Sequence, residues 1–115
     1  MEKRFALSLL CDFYGPLLTE NRLTMLKLYC DEDMTLQEIA EQTGITRQGV
    51  SDAIRRAERQ LVDYEDKLGL LRRFRSVRGM ASECIEILRS GGDTESAIRI
   101  LTRLSDGEGE EDHGV

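Results

Sequence analysis

Two helix-start signals follow one another within residues 34–61, and this stretch constrains the fold more than any other. Thr35 is followed three residues later by Glu38, the spacing of a capping box in which each residue satisfies a backbone N–H of the other. The pattern predicts a helix that begins at Leu36. Gly44 predicts its end, because glycine adopts a left-handed backbone conformation without the steric cost of a Cβ.

A second helix is predicted directly after Thr46, the next capping residue. Its apolar residues recur at helical spacing and form one predicted buried stripe: Val50, Ala53, Ile54, Ala57 and Leu61. Two helices joined by a tight glycine turn indicate a helix-turn-helix over residues 35–61. In that motif the early exposed positions of the second helix enter a groove of nucleic acid. A structural corner with a solvated charged face is the competing interpretation.

The charge along the chain favours the binding interpretation, although the net charge of the 115 residues is −6. Residues 1–46 carry 4 basic and 8 acidic side chains, residues 47–78 carry 9 and 5, and residues 79–115 carry 3 and 9. A basic middle within an acidic protein is a localised electrostatic footprint, and its location is more informative than the overall isoelectric point.

The residues predicted to bind nucleic acid lie in this basic middle. They are Arg47, Gln48, Ser51, Arg55, Arg56, Arg59, Arg72, Arg73 and Arg75. The first four occupy base-reading positions, and the other arginines suit phosphate contacts. The last three surround Phe74, and their stems could equally cover apolar surface. Asp52 places a negative charge among the candidates.

The remaining periodicity predicts an all-α fold in a single domain over residues 1–104. A helix from Lys3 to Phe13 is predicted to bury Phe5 and Phe13. The second helix, from Thr19 to about Asp31, is apolar on more than one face, so it is either central or meets a second subunit. The other predicted inward residues are Val77, Met80, Ala81, Cys84, Ile85, Leu88, Ala97, Ile98, Leu101 and Leu104.

The helix after Thr46 can continue to Leu68, roughly 33 Å at about 1.5 Å per residue. This length, together with the multi-faced second helix, favours a homodimer. Residues 105–115 are rich in glycine and acid without apolar periodicity, and they predict a disordered acidic tail.

Several classes of function are disfavoured by composition. Cys11, Cys30 and Cys84 lack metal-ligand spacing, and His113 is the single histidine, so we expect no zinc site, disulfide framework or cofactor. No nucleophile and base pair or phosphate loop is present, and we expect no enzyme. No apolar run approaches a membrane span, and we expect a soluble cytoplasmic protein without membrane insertion.

The segments LCDFYGPLLT and EIAEQTGITRQGVSDAIRRAE, within roughly the first 70 residues, resemble the YlxM family of bacterial helix-turn-helix proteins. This resemblance implies a fold like region 4 of sigma factors. It also implies an accessory or regulatory role in signal recognition particle-dependent targeting, through the particle's RNA or its GTPase, because the genes of the family lie beside those of the targeting GTPases. Gly49 departs from the alanine expected in the family pattern.

Three functional hypotheses follow. The leading one is a nucleic-acid-binding module of the signal recognition particle pathway. The second is a DNA-binding transcriptional regulator whose dimer spaces two recognition helices about 34 Å apart. The third is a protein interaction module that binds a targeting GTPase without nucleic acid.

Overall fold

The computed structural model of the chain describes residues 3–107, and within them every regular element is a helix. The elements are α1 Lys3–Tyr14, α2 Glu20–Cys30, α3 Leu36–Thr43, α4 Arg47–Leu68, α5 Leu70–Arg89 and α6 Thr94–Ser105, with a short 3-10 helix, Gly15–Leu17, after α1. The all-α prediction is confirmed.

The chain divides into two compact units, Met1–Gly69 and Leu70–Val115. Helices α1 to α4 belong to the first unit, and α5 and α6 belong to the second. The domain predicted over residues 1–104 stays a prediction. Of the predicted disordered tail, Ser105 is the last residue of α6, and residues 108–115 lie outside the described residues.

The core of the first unit lies where α1, α2 and α3 pack against α4. Helix α4 buries four of the five residues of the predicted stripe, since Val50, Ile54, Ala57 and Leu61 are at most 6% exposed, and Ala53 is half-buried against the same core. Residues four or three apart lie on one face of a helix, so a single stripe suffices to hold α4 along much of its length.

The helix boundaries around the turn are those predicted. Thr35 Oγ1 accepts a hydrogen bond from the Glu38 amide at 3.1 Å, and the Glu38 carboxylate accepts one from the Thr35 amide at 2.8 Å, which completes the capping box. Gly44 ends α3 with a left-handed φ of 75°. Thr46 then caps α4 by accepting a hydrogen bond from the Gly49 amide at 3.0 Å.

The predicted core face of α1 is wrong at its first position. Phe5 is 56% exposed, whereas Leu7, Cys11 and Tyr14 are buried. Phe13 is only half-buried at the edge of the core. Helix α1 carries apolar residues on two faces, and periodicity alone does not decide which of them meets the other helices.

Helix α2 is central in the first unit, which is one of the two possibilities that its apolar composition left open. It packs against α1, α3 and α4, with Met25 and Leu26 buried in the core. Its other apolar side chains, Leu23, Leu28, Tyr29 and Cys30, are partly buried against the same core. Its several apolar faces are therefore accounted for within this unit, and α2 no longer supports a homodimer.

The second unit is a hairpin of α5 and α6 joined by residues 90–93. Asp93 caps α6 by accepting a hydrogen bond from the Glu95 amide at 3.0 Å. The Cys84 thiol donates a weak hydrogen bond to the Ala97 carbonyl at 3.5 Å inside the helix contact. Within the described part of this unit the buried residues are Leu71, Cys84, Ala97 and Ile100.

Several inward positions predicted for this hairpin are wrong. Ile98 and Leu101 are 47% and 48% exposed, and the contact face of α6 is formed instead by Ala97 and Ile100. On α5 the exposed residues of the predicted stripe are Val77, Ile85 and Leu88. Both helices are apolar over two adjacent faces, and pairing them buries only one face of each.

Candidate nucleic-acid interface

The turn that joins α3 to α4 consists of Gly44, Ile45 and Thr46, a length typical of a helix-turn-helix. Ile39 and Ala40 of α3 are buried, as is Val50 of α4. The two helices pack directly against each other. This packing turns the opposite side of α4 outward.

The outward side of α4 carries most of the predicted binding residues of the first unit. Arg47, Gln48, Arg55, Arg56 and Arg59 are exposed, and Ser51 is half-buried. At about 100° per residue, Arg47 lies on one flank of the buried stripe. The residues that point away from the stripe are Gln48, Arg55, Arg56 and Arg59. The first half of α4 thus presents basic and amide groups within the reach of a single ligand.

Asp52 lies at the centre of this surface and organises its neighbours. Its carboxylate accepts hydrogen bonds from the Gln48 amide group and from the Arg55 guanidinium, both at 3.0 Å. Arg55 also approaches Ser51 Oγ at 3.5 Å. Three predicted binding side chains are therefore arranged around one acid, a network that the sequence signalled only as an unfavourable charge.

Gly49 lies under the cap of α4, and the structure gives a local reason for glycine there. A Cβ at this position would lie 2.9 Å from Ile45 Cγ2 and 3.0 Å from Thr46 Oγ1. Separations this short require the turn or the capping hydroxyl to shift. The expected cost of a helical glycine is therefore offset by preservation of the Thr46 cap.

The start of α3 is held in place by α1. The Arg4 guanidinium donates to Asp33 Oδ1 at 2.8 Å and to the Met34 carbonyl at 3.0 Å, and it stacks 4.1 Å above the centre of the Tyr29 ring. Ser8 donates to Asp31 at 3.1 Å. Asp31 and Asp33, which precede α3, are thus both bonded to side chains of α1.

A cavity of about 280 Å³ adjoins the candidate binding surface. It is lined by Lys3, Tyr29, Leu36, Ser51, Ile54 and Arg55. Lys3 also forms an ion pair with Glu58 of α4 at 3.4 Å. Sequence reasoning missed Lys3 and Tyr29, because only tertiary packing brings these segments of α1 and α2 beside α4.

The second half of α4 is fixed by aromatic contacts with α1. Tyr14 is fully buried, and its hydroxyl donates to the Glu65 carboxylate at 2.6 Å. The ring of Tyr64 lies against that of Tyr14 with centroids 5.9 Å apart. These contacts lie about two and a half to three turns beyond Arg55, so they hold the end of α4 opposite the candidate binding surface.

Arg72, Arg73 and Arg75 lie on α5, in the second unit, and all three are exposed. At about 100° per residue they are distributed over more than a third of the helix circumference and do not form one stripe. Arg78 extends over the Phe74 ring at 5.7 Å. Their predicted role in binding phosphate stays a prediction.

No disulfide joins Cys11, Cys30 and Cys84, all of which lie in the described part of the chain. Burial raises the pKa of the Cys11 thiol, and the nearby Asp31 carboxylate raises it further. Across residues 3–107 no three His, Cys, Asp or Glu side chains converge as a metal-binding group would require. In the same part of the chain no helix has both the length and the hydropathy needed to cross a membrane.

The fold and the arrangement of α3 and α4 are those of a helix-turn-helix protein. Residues 1–99 match the UPF0122 family, described as "Putative helix-turn-helix protein, YlxM / p13 like". The chain belongs to this family, as the resemblance of its first 70 residues predicted.

Curated relatives agree with this assignment. A UPF0122 protein of Desulforamulus reducens is 44% identical over 88 residues, which cover 76% of this chain and 75% of the relative. A UPF0122 protein of Acetivibrio thermocellus is 42% identical over 109 residues, which cover 92% of this chain and 93% of the relative. One from Clostridium kluyveri is 43% identical, covering 78% of this chain and 81% of the relative.

Proposed function

We propose that the chain is a non-enzymatic accessory or regulatory protein that binds nucleic acid through the outward side of α4, from Arg47 to Arg59. The observation that carries this proposal is the exposure of that side on a fully capped helix-turn-helix. Positive and amide groups at the start of such a helix can contact both base edges and phosphates.

The side chains take different roles in this proposal. Arg47, Gln48, Ser51 and Arg55 face the bases or the nearest backbone, and Arg56 and Arg59 contact phosphates. Arg72, Arg73 and Arg75 of α5 supply further phosphate contacts. Arginine suits both tasks, since its planar guanidinium donates two parallel hydrogen bonds to a guanine edge or to a phosphate.

We infer that the ligand is the RNA of the signal recognition particle, following the resemblance to the YlxM family. The local net charge supports a polyanion, because residues 47–78 carry 9 basic and 5 acidic side chains in an otherwise acidic chain. A cytoplasmic location is part of the same proposal, because the particle acts there.

The decisive experiment measures the affinity of the full chain for labelled particle RNA by fluorescence anisotropy over a series of salt concentrations. Arg55→Ala should weaken binding by about 1 to 3 kcal/mol if Arg55 reads a base. Arg59→Ala should instead lower the salt slope by about 0.7 to 0.9, the loss expected for one phosphate contact.

Arg99→Ala is the matched control, because Arg99 is exposed on α6 and also donates to a serine one turn earlier. It should leave the affinity unchanged. Equal effects of Arg55→Ala and Arg99→Ala, or no effect of either, would remove the α4 surface from the binding site.

The two other functions are outcomes of the same experiment. Tighter binding to DNA upstream of the chain's own gene than to the RNA would make the protein a DNA-binding regulator. Binding to the targeting GTPase that survives nuclease treatment, without affinity for either nucleic acid, would make it a protein interaction module. We retain a homodimer as a proposal, now on a surface of the second unit.

A further inference from the structure

The α5–α6 hairpin exposes an uncharged stripe along α5. Its members are Phe74, Val77, Ala81, Ile85 and Leu88. At about 100° per residue all five fall within an arc of about 80°, and no charged residue interrupts them. Ala81 is half-buried, whereas the four larger side chains are exposed. A continuous stripe of this kind is the surface that a helix normally buries against another element.

Helix α6 extends the same apolar surface. Its exposed Ile98 and Leu101 lie about a quarter turn from the residues that contact α5, Ala97 and Ile100. The centre of the α5 stripe lies about a sixth of a turn from its own contact residue, Cys84, and is rotated in the same sense. On both helices the exposed stripe is displaced from the contact residues in the same sense around the helix axis. Because the two helices are antiparallel, both stripes then lie on the same side of the hairpin. The hairpin therefore has one buried contact face and one adjacent apolar face.

The spacing of the α5 stripe is symmetric about Ala81. Val77 and Ile85 stand four residues on either side of it, and Phe74 and Leu88 stand seven. A two-fold axis through Ala81 would set Val77 of one copy opposite Ile85 of the other, and Phe74 opposite Leu88. The smallest side chain then lies where two antiparallel helices cross, which permits close approach. Such a surface is complementary to itself.

We propose that this face binds the same face of a second copy of the chain, with α5 packed antiparallel on α5 of the partner. The exposed apolar area reaches the minimum expected of a specific interface. Each copy contributes six exposed apolar side chains, and each of these exposes on the order of 80 Å². They give about 500 Å² per copy, or about 1,000 Å² for the pair, the lower bound for specific interfaces. The six residues are Phe74, Val77, Ile85, Leu88, Ile98 and Leu101. Nucleic acid is a poor occupant, because the stripe offers no charge to a phosphate.

The small size of the hairpin supports the same conclusion. Its described part, residues 70–107, buries little besides Leu71, Cys84, Ala97 and Ile100. Helical units below about 40 residues generally require a disulfide, a metal or association with another surface to be stable. The cysteine of this unit, Cys84, is a free thiol. Pairing two hairpins into four helices would supply the missing burial.

The test is the mass of the full chain in solution, measured by sedimentation equilibrium at micromolar concentrations. The unmodified chain should have twice its monomer mass of 13.1 kDa. Leu88→Glu should weaken dimerisation by about 100-fold, because it places a charge in an apolar contact. Leu17→Glu is the matched control, since Leu17 is 52% exposed in the first unit and Leu88 is 53% exposed. It should leave the mass unchanged.

A second measurement tests the symmetry and does not depend on the folding of a charged variant. Ala81→Cys should form a disulfide between two copies under mild oxidation, because the axis brings this position next to itself. Gly79→Cys, on the opposite side of α5 in open space, and the unmodified chain should not. A monomeric unmodified chain, equal masses for Leu88→Glu and Leu17→Glu, or equal crosslinking at positions 79 and 81 would each overturn the proposal.

Discussion

Removal of the acid at the centre of the α4 surface should strengthen binding to nucleic acid. Asp52 accepts hydrogen bonds at 3.0 Å from Gln48 and Arg55, and so competes with a ligand for both donors. A carboxylate about 6 Å from a phosphate at an effective dielectric constant of about 60 repels it by about 1 kcal/mol. We therefore expect Asp52→Asn to raise the affinity about fivefold for each phosphate at that distance.

The substitution Asp52→Asn should change the free energy of unfolding very little. The side chains of Arg55 and Asp52 are 57% and 48% exposed, and an exposed ion pair contributes about 0 to 1 kcal/mol to stability. A urea titration should therefore give a free energy of unfolding within about 1 kcal/mol of that of the unmodified chain. If Arg55 then contacts a phosphate, the plot of log affinity against log salt should become steeper by about 0.7 to 0.9.

Asp63→Asn provides a matched control on the same helix. Asp63 pairs with Lys67 at 3.1 Å, is exposed, and lies about three turns further along α4 on the same side. It makes the same change in total charge away from Gln48 and Arg55. If Asp52→Asn weakens binding, or if both variants strengthen it equally, then overall charge rather than the start of α4 governs the affinity and our reasoning fails.

Four further predictions concern stability, reactivity and charge. Thr35→Ala should lower the free energy of unfolding by about 1 kcal/mol, since it removes a capping box; an unchanged urea midpoint would contradict this. Gly79→Ala should raise it by about 0.5 to 1 kcal/mol in open space, whereas Gly49→Ala should show no such gain in the same titration because its Cβ meets the turn. Cys11 should react with iodoacetamide more slowly than an unfolded thiol at mildly alkaline pH, because its raised pKa keeps it neutral, and urea should abolish the difference in labelling measured by mass spectrometry. A chain that ends at Leu104 should bind nucleic acid more tightly at low salt by anisotropy, because it lacks the acidic residues that compete for arginine; equal affinity would exclude that competition.

The predictions that held depend on residues close together in the chain. A capping residue acts on an amide three positions away, and a left-handed glycine ends its own helix, so Thr35, Gly44 and Thr46 set their boundaries without reference to distant structure. The buried stripe of α4 was equally clear, because its alternative face is charged and could not be buried at comparable cost.

The predictions that failed involve helices with two plausible apolar faces. Periodicity could not choose between the Phe5 and Leu7 faces of α1, because the choice depends on where Tyr14 meets α4. On α6 the exposed Ile98 was predicted inward for a similar reason, since only the position of α5 selects one face. The hydrogen bonds around Asp52 were missed because they depend on side-chain rotamers, which sequence spacing permits without specifying.

The aromatic anchor between α1 and α4 has a consequence for genetics. The buried stripe holds α4 along its length, and the contacts of Tyr14 with Tyr64 and Glu65 fix the tilt of its second half, so a change at these tyrosines would also move the exposed arginines of the first half. Selections for altered target preference should therefore recover substitutions at Tyr14 or Tyr64 as well as on the arginine side. Second-site substitutions that restore binding to an Arg55 variant should also be found at Tyr14 or Tyr64.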